Sequence, residues 1–193
     1  MPFRNVTLTL PNLVTLLRIL LIPLIVGIFY VPDAWLADEG KNIAATAVFI
    51  VAAVSDWLDG YLARRLNQMS AFGAFLDPVA DKLVVIGALV VLLKLGRVDM
   101  VVGLIIIGRE IAISALREWM ATVGRSRNVA VAFIGKLKTV LQMIAIPLLL
   151  FEDRLFGLVD CYALGTVMIY IAAVLTVVSM LYYLRRAMAP VPG

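Results

Sequence analysis

Stretches of about 20 predominantly apolar residues recur along the whole of this 193-residue chain, and no other feature limits its fold so tightly. That is the length an α-helix needs to cross the hydrocarbon core of a bilayer. A soluble domain of this size would carry a charged stripe on every helix. Here 63% of the residues are hydrophobic and the mean hydropathy is +1.03. The pattern predicts six spans, at about 13–30, 43–61, 76–95, 99–119, 129–150 and 161–184. Together they make one membrane domain, 1–193: an all-α integral membrane protein, a six-transmembrane-helix bundle with a short N-terminal interfacial segment at residues 2–10. The opening MPFRNVTLTLPN lacks a charged n-region followed by a small-residue cleavage site, so no cleavable signal peptide is expected.

The net charge of +4 is distributed by topology rather than gathered into a nucleic-acid surface, so no nucleic-acid partner is expected. Segments near 1–12, 62–75, 120–128 and 185–193 carry Arg4, Arg64, Arg65, Arg125, Arg127, Arg185 and Arg186 and no acidic residue. The intervening segments mix Lys41, Lys94, Arg97 and Arg154 with Asp33, Asp38, Glu39, Glu152, Asp153 and Asp160. The positive-inside rule then puts both termini in the cytoplasm. There is no histidine, which excludes histidine bases and histidine metal sites. Cys161 is the single cysteine, so neither an internal disulfide nor a thiolate metal site can form, and it reads as a small apolar residue at a helix start.

Four aspartates interrupt the apolar text. Asp56, Asp59, Gly60 and Ala63 fall within roughly 100° on one helix face, and Gly73, Asp77 and Asp81, spaced by four, line a second. Each buried ionisable group at membrane depth costs about 2.5–3.5 kcal/mol, so four uncompensated aspartates would cost ~10–14 kcal/mol. That rivals the whole stability of a domain. Helices meeting along these faces would gather like charges that need a counter-charge, and hard divalent cations with oxygen ligands supply it. The expectation is therefore a metal site of Asp56, Asp59, Asp77 and Asp81 at the cytoplasmic ends of spans two and three.

The small residues Gly60, Ala63 and Gly73 let helices approach closely and leave room for a ligand against the backbone. Arg64 is placed to bond a diphosphate, while Arg65 reads as a topology-setting charge. Asn12, Thr15 and Arg18 share a face of the first span at spacing three. One reading makes them a cap, a threonine bonding back to its own helix and an arginine snorkelling to headgroups. In the fourth span Arg109 and Glu110 are the deeper charges, and membrane-embedded charges pair or face a wet interior. With spans four and five flanking the aspartate helices, Arg109, Lys136, Arg117 and Lys138 form a basic pocket suited to a phosphorylated acceptor. Lys82 points about 100° away from Asp81 and is assigned no chemistry. Tyr162, Tyr170, Tyr182 and Tyr183 are distributed as an aromatic belt would be.

The run Asp56-x-x-Asp59-Gly60-x-x-Ala63-Arg64, then eight residues, then Gly73-x-x-x-Asp77-x-x-x-Asp81, resembles the complete motif of the CDP-alcohol phosphotransferases. The flanking text (NLVTLLR, VSDWLDG, GAFLDPVADK, REIAISALREWM, GKLKT) extends the resemblance over nearly the whole chain, and is most similar to bacterial members acting on glycerol phosphate. The resemblance implies a membrane enzyme that moves a phosphatidyl group from CDP-diacylglycerol to sn-glycerol 3-phosphate at the cytoplasmic side of the bacterial inner membrane. It implies two Mg²⁺ or Mn²⁺ ions on the four aspartates, with Asp81 also the base for the acceptor hydroxyl. It also implies CDP-diacylglycerol contacts at Asn12, Thr15 and Ser70, acceptor-phosphate binding by basic residues of spans four and five, and a homodimer.

Two rivals compete with this. The same chemistry could use serine, myo-inositol phosphate or phosphatidylglycerol as acceptor; the basic pocket favours a phosphate-bearing one. A divalent-cation transporter would need a path to both sides and often shows repeated, interrupted helices. No internal repeat is present, and all four aspartates lie near one face.

Overall fold

The computed structural model describes residues 10–65, 71–122 and 133–188. They form six helices and one short hairpin: α1 (Leu10–Ile28), α2 (Asp38–Arg65), α3 (Ala71–Lys94), α4 (Met100–Thr122), α5 (Phe133–Phe151), β1 (Arg154–Leu155), β2 (Val159–Asp160) and α6 (Cys161–Met188). All six predicted helices are present, with ends shifted by up to five residues at α2 and α3. The segment proposed to lie at the interface, 2–10, falls outside the described residues except for Leu10. The hairpin is an addition to the all-helical expectation. Arg154 pairs with Asp160 and Leu155 with Val159, antiparallel. Phe156 and Gly157 turn the chain with positive φ at both positions, as a mirror-image hairpin turn requires.

Local chemistry sets the helix ends. Asp38 and Glu39 stand in the first turn of α2, where carboxylates complement the helix dipole. Asp99 caps α4: its Oδ1 accepts from the Val101 amide at 2.8 Å. Asp160 does the same for α6 through the Ala163 amide at 2.9 Å. Beyond α3, Gly96 takes the left-handed conformation (φ 68°) that closes many helices.

The chain divides into two units, Met1–Lys94 with Leu150–Glu152, and Leu95–Leu149 with Asp153–Gly193. In the first unit α1 packs against both α2 and α3. Its contacts to α3 climb in step: Thr15 meets Asp77, Arg18 meets Asp81, and Ile22 closes on Gly87. Both helices therefore run in the same direction there, and Arg18 also meets Asp56 of α2. Ala45 and Ala52 on α2, and Ala80 and Ala88 on α3, are wholly buried and let the backbones come close. In the second unit α4 packs on α6, and α5 approaches α6 so tightly at Gly165 that an added Cβ would lie 3.2 Å from the Ala145 carbonyl.

The distribution of polarity is inside-out. On α1 the described buried positions are Asn12, Thr15, Arg18, Ile25 and Ile28, while Leu13, Leu17, Leu20 and Leu24 face outward. On α6 Thr176 and Ser179 are buried, whereas Val174, Val178 and Leu181 are exposed. Arg109 is buried on α4, with Leu104 and Ile111 outside. A protein in water has no reason to arrange three helices this way; contiguous exposed apolar surface marks contact with lipid or another protein. Among the described residues one helical stretch, Cys161–Tyr182, meets both the length and the composition needed to cross a membrane, and Asn12–Ile28 and Leu137–Phe151 are shorter apolar helices.

Candidate active site

α1 brings a polar stripe into the first unit. Asn12, Thr15 and Arg18 recur every three residues, so they lie on one face, and all three are buried. From α3, Asp77 and Asp81 are spaced by four and meet this stripe rung by rung. The Thr15 hydroxyl donates to Asp77 Oδ1 at 2.7 Å. One turn on, Arg18 Nη1 donates to Asp81 Oδ1 and, at 2.9 Å, to Asp56 Oδ1 of α2. A single guanidinium nitrogen thus bridges carboxylates from two helices.

Exposure differs sharply across this bridge. The Arg18 side chain is 1% exposed, whereas those of Asp56 and Asp81 are 47% and 45% exposed. The cation is buried behind the carboxylates, which keep open sides. Among the described residues this guanidinium meets two carboxylates, while Asp77 takes the Thr15 hydroxyl. Gly73, one turn before Asp77, is buried on the same helix.

This outcome corrects one reading from the sequence and extends another. Arg18 is buried against Asp56 and Asp81 instead of reaching out to headgroups. Thr15 reaches across to α3, where Asp77 offers it a charged acceptor. Convergence of the acidic faces of α2 and α3 is observed for Asp56 and Asp81. Among the described residues no three candidate metal ligands surround one point. The side chains of Asp59, Gly60, Ala63 and Arg64 lie outside the described residues, as does Ser70 altogether. The donor set nevertheless suits a hard divalent cation: it is all carboxylate oxygen, and two of its members already share a positive charge.

The second unit holds its own polar cluster. Glu110 of α4 accepts from Lys138 of α5 and, at 3.4 Å, from Arg109 Nη1. Arg109 Nη2 reaches the Ser179 hydroxyl of α6 at 3.3 Å, and that hydroxyl donates to the Thr176 carbonyl at 2.9 Å. Arg109 and Lys138 are thus brought together as expected, buried and with two cations on one carboxylate. The side chains of Arg117 and Lys136 lie outside the described residues. Sequence reasoning anticipated Arg109 beside Glu110 but missed Lys138 and Ser179 as partners.

A third group stands at the opposite end of α2. Lys41 pairs with Asp33 and, at 3.4 Å, with Asp38. The hydrogen bond that Lys41 donates to Asp33 is the chief cause that raises its pKa above the ordinary 10.5. Asn42 donates to Glu152 at 3.3 Å.

Known proteins can now be set beside this geometry. The family model for CDP-alcohol phosphatidyltransferase matches residues 8–178. A protein of Escherichia coli strain K12 named CDP-diacylglycerol–glycerol-3-phosphate 3-phosphatidyltransferase is 48% identical over 182 residues, covering 93% of this chain and 95% of that one. Proteins of the same name from Shigella flexneri serotype 5b and Shigella boydii serotype 4 are 47% identical over the same span. A match of this extent, over a chain whose first three helices bring Asp56 and Asp81 of the family motif onto one arginine, means that the chain belongs to the CDP-alcohol phosphatidyltransferase family.

Proposed function

We propose that this chain transfers the phosphatidyl group of CDP-diacylglycerol to sn-glycerol 3-phosphate, releasing CMP and forming phosphatidylglycerophosphate. The observation that carries this is near-full-length identity of 48% to a relative named for that reaction. The buried Arg109–Glu110–Lys138 cluster supports an acceptor that bears a phosphate, since it holds more positive than negative charge.

The chain acts in the bilayer as a six-span protein with both termini cytoplasmic. The inside-out polarity of α1, α4 and α6 supports this, as does the common direction of α1 and α3. Acyl chains of the lipid nucleotide lie against the exposed leucines of the helices, while its diphosphate meets the polar end of the first unit. Asn12, Thr15, Gly60, Ala63, Arg64, Ser70 and Gly73 make the nucleotide contacts. Arg109 and Lys138, with Lys136 and Arg117, receive the acceptor phosphate. The resemblance makes a homodimer the expected assembly, which light scattering in detergent would measure.

Asp56, Asp59, Asp77 and Asp81 are the residues that would hold Mg²⁺ or Mn²⁺, on the strength of their all-oxygen chemistry. An ion bound there would withdraw charge from the attacked phosphorus and would stabilise the departing CMP. Asp81 accepts the proton of the acceptor hydroxyl. The alcohol oxygen bonds to the phosphatidyl phosphorus as the bond from that phosphorus to the CMP oxygen breaks, and CMP leaves with the electron pair. Arg18 and Thr15 hold Asp81 and Asp77 in place from α1, limiting the rotamers these carboxylates explore. An aspartate is a weak base near neutral pH, so its placement matters more than its strength.

Purified protein given CDP-diacylglycerol and Mg²⁺ should release CMP when glycerol 3-phosphate is added. Release driven by serine or myo-inositol phosphate instead would overturn the acceptor assignment.

A further inference from the structure

We infer that Arg18 is a positioning residue that acts as the internal counter-cation of the aspartate cluster, competing with divalent metal for the carboxylate oxygens of Asp56 and Asp81. This rests on the reading that those aspartates hold metal. Two observations and one property of arginine carry it. Arg18 Nη1 touches Oδ1 of both aspartates, which come from different helices. Its side chain is 1% exposed, so water does not solvate the guanidinium. Arginine keeps its charge under all ordinary conditions, so the bridge cannot be relaxed by losing a proton.

Electrostatics sets the consequence. A divalent ion on either shared oxygen would stand a few ångströms from the guanidinium, and like charges that close repel strongly in a poorly solvated site. Arg18 therefore weakens metal binding while keeping two mutually repelling carboxylates assembled. A residue that merely packed α1 against its neighbours would stabilise the fold and leave metal affinity unmoved. The two roles separate experimentally, because the counter-cation predicts tighter metal binding when the charge is removed.

The full-length chain in detergent, with Arg18→Met and Arg18→Lys variants, is titrated with Mn²⁺, free ion being followed by electron paramagnetic resonance. Thermal unfolding is recorded in chelator and in saturating Mn²⁺. Arg18→Met should bind Mn²⁺ about tenfold more tightly or better, as loss of one nearby positive charge demands. Its Tm should fall in chelator and recover with Mn²⁺ by more than that of the wild type, while Arg18→Lys should bind Mn²⁺ close to wild-type strength. A Met variant that folds only when Mn²⁺ is present supports the inference equally. Mn²⁺ affinity in Arg18→Met that equals or falls below the wild type overturns it and leaves the metal reading standing. Absence of Mn²⁺ binding in both wild type and Arg18→Met overturns the metal reading, and the inference with it.

Discussion

At the scale of single residues, the account turns on which charges have partners. Glu110 holds two buried cations, so Glu110→Gln removes the charge that pairs with Arg109 and Lys138 there. Breaking a buried pair in this way costs about 3–5 kcal/mol, and Glu110→Gln should lower Tm accordingly in a detergent melt. Lys138→Ala should act on the reaction as well, raising the KM for glycerol 3-phosphate while leaving that for CDP-diacylglycerol unchanged. Should only the lipid nucleotide's KM move, the acceptor-phosphate assignment is wrong. Lys41 gives a pH test. Its folded pKa is raised, so its contribution to stability is complete below about pH 10.5 and is lost as pH rises through the folded value. Alkaline melts of wild type and Lys41→Met should therefore converge; curves that stay parallel would remove Lys41 as the cause. The aspartates were legible as a cluster because helical spacing alone puts Asp56 on one face and Asp77 with Asp81 on another. Arg18 was not, because its partners lie 38 and 63 residues away, and an arginine on an apolar helix usually reaches for headgroups.

Helices obey a simpler rule here: how close two backbones come decides what each glycine tolerates. Gly165 on α6 faces the Ala145 carbonyl at 3.2 Å and Leu149 at 2.8 Å, measured from an added Cβ. Backbone cannot step aside, so Gly165→Ala should cost about 1–3 kcal/mol by overpacking. Gly87→Ala meets the Ile22 Cγ2 methyl at 2.8 Å, a branch whose χ1 is stiff in a helix, so it too should cost stability. Gly108 has nothing within 4 Å, so Gly108→Ala should be neutral or stabilise α4 by up to about 1 kcal/mol. Melts of the three variants in one detergent rank these costs; a Gly108 variant less stable than the Gly165 variant would contradict the packing described for α5 and α6. All six helices were readable from apolar run length. The hairpin was not, since its strands have two residues each and Gly157 is its one clear turn signal. Its strands are too short for an alternating pattern to register.

For the whole molecule, the inside-out placement of polar side chains sets the topology at issue. Residues 31–42 and 151–160 should open to the side away from the cytoplasm. In a Cys161→Ser background, single cysteines at Trp35 and Leu158, both exposed, should react with a membrane-impermeant maleimide in intact cells. Cysteines placed at the termini should react only after the cells are opened, and the reverse pattern would invert the proposed orientation. Which charges converge was less legible from the chain than how many helices there are. Run length is local, whereas a bridge such as Arg18 between Asp56 and Asp81 exists only once three helices have packed.

The central claim is that the aspartates gathered by α1 carry out the transfer. Turnover and CDP-diacylglycerol binding, measured on the same preparation of Asp81→Asn, test it most directly. The account predicts that glycerol 3-phosphate-dependent CMP release falls by about 10²–10⁴-fold, the usual worth of a positioned base, while the lipid nucleotide still binds and the protein still melts cooperatively. CMP release near the wild-type rate from Asp81→Asn would contradict it.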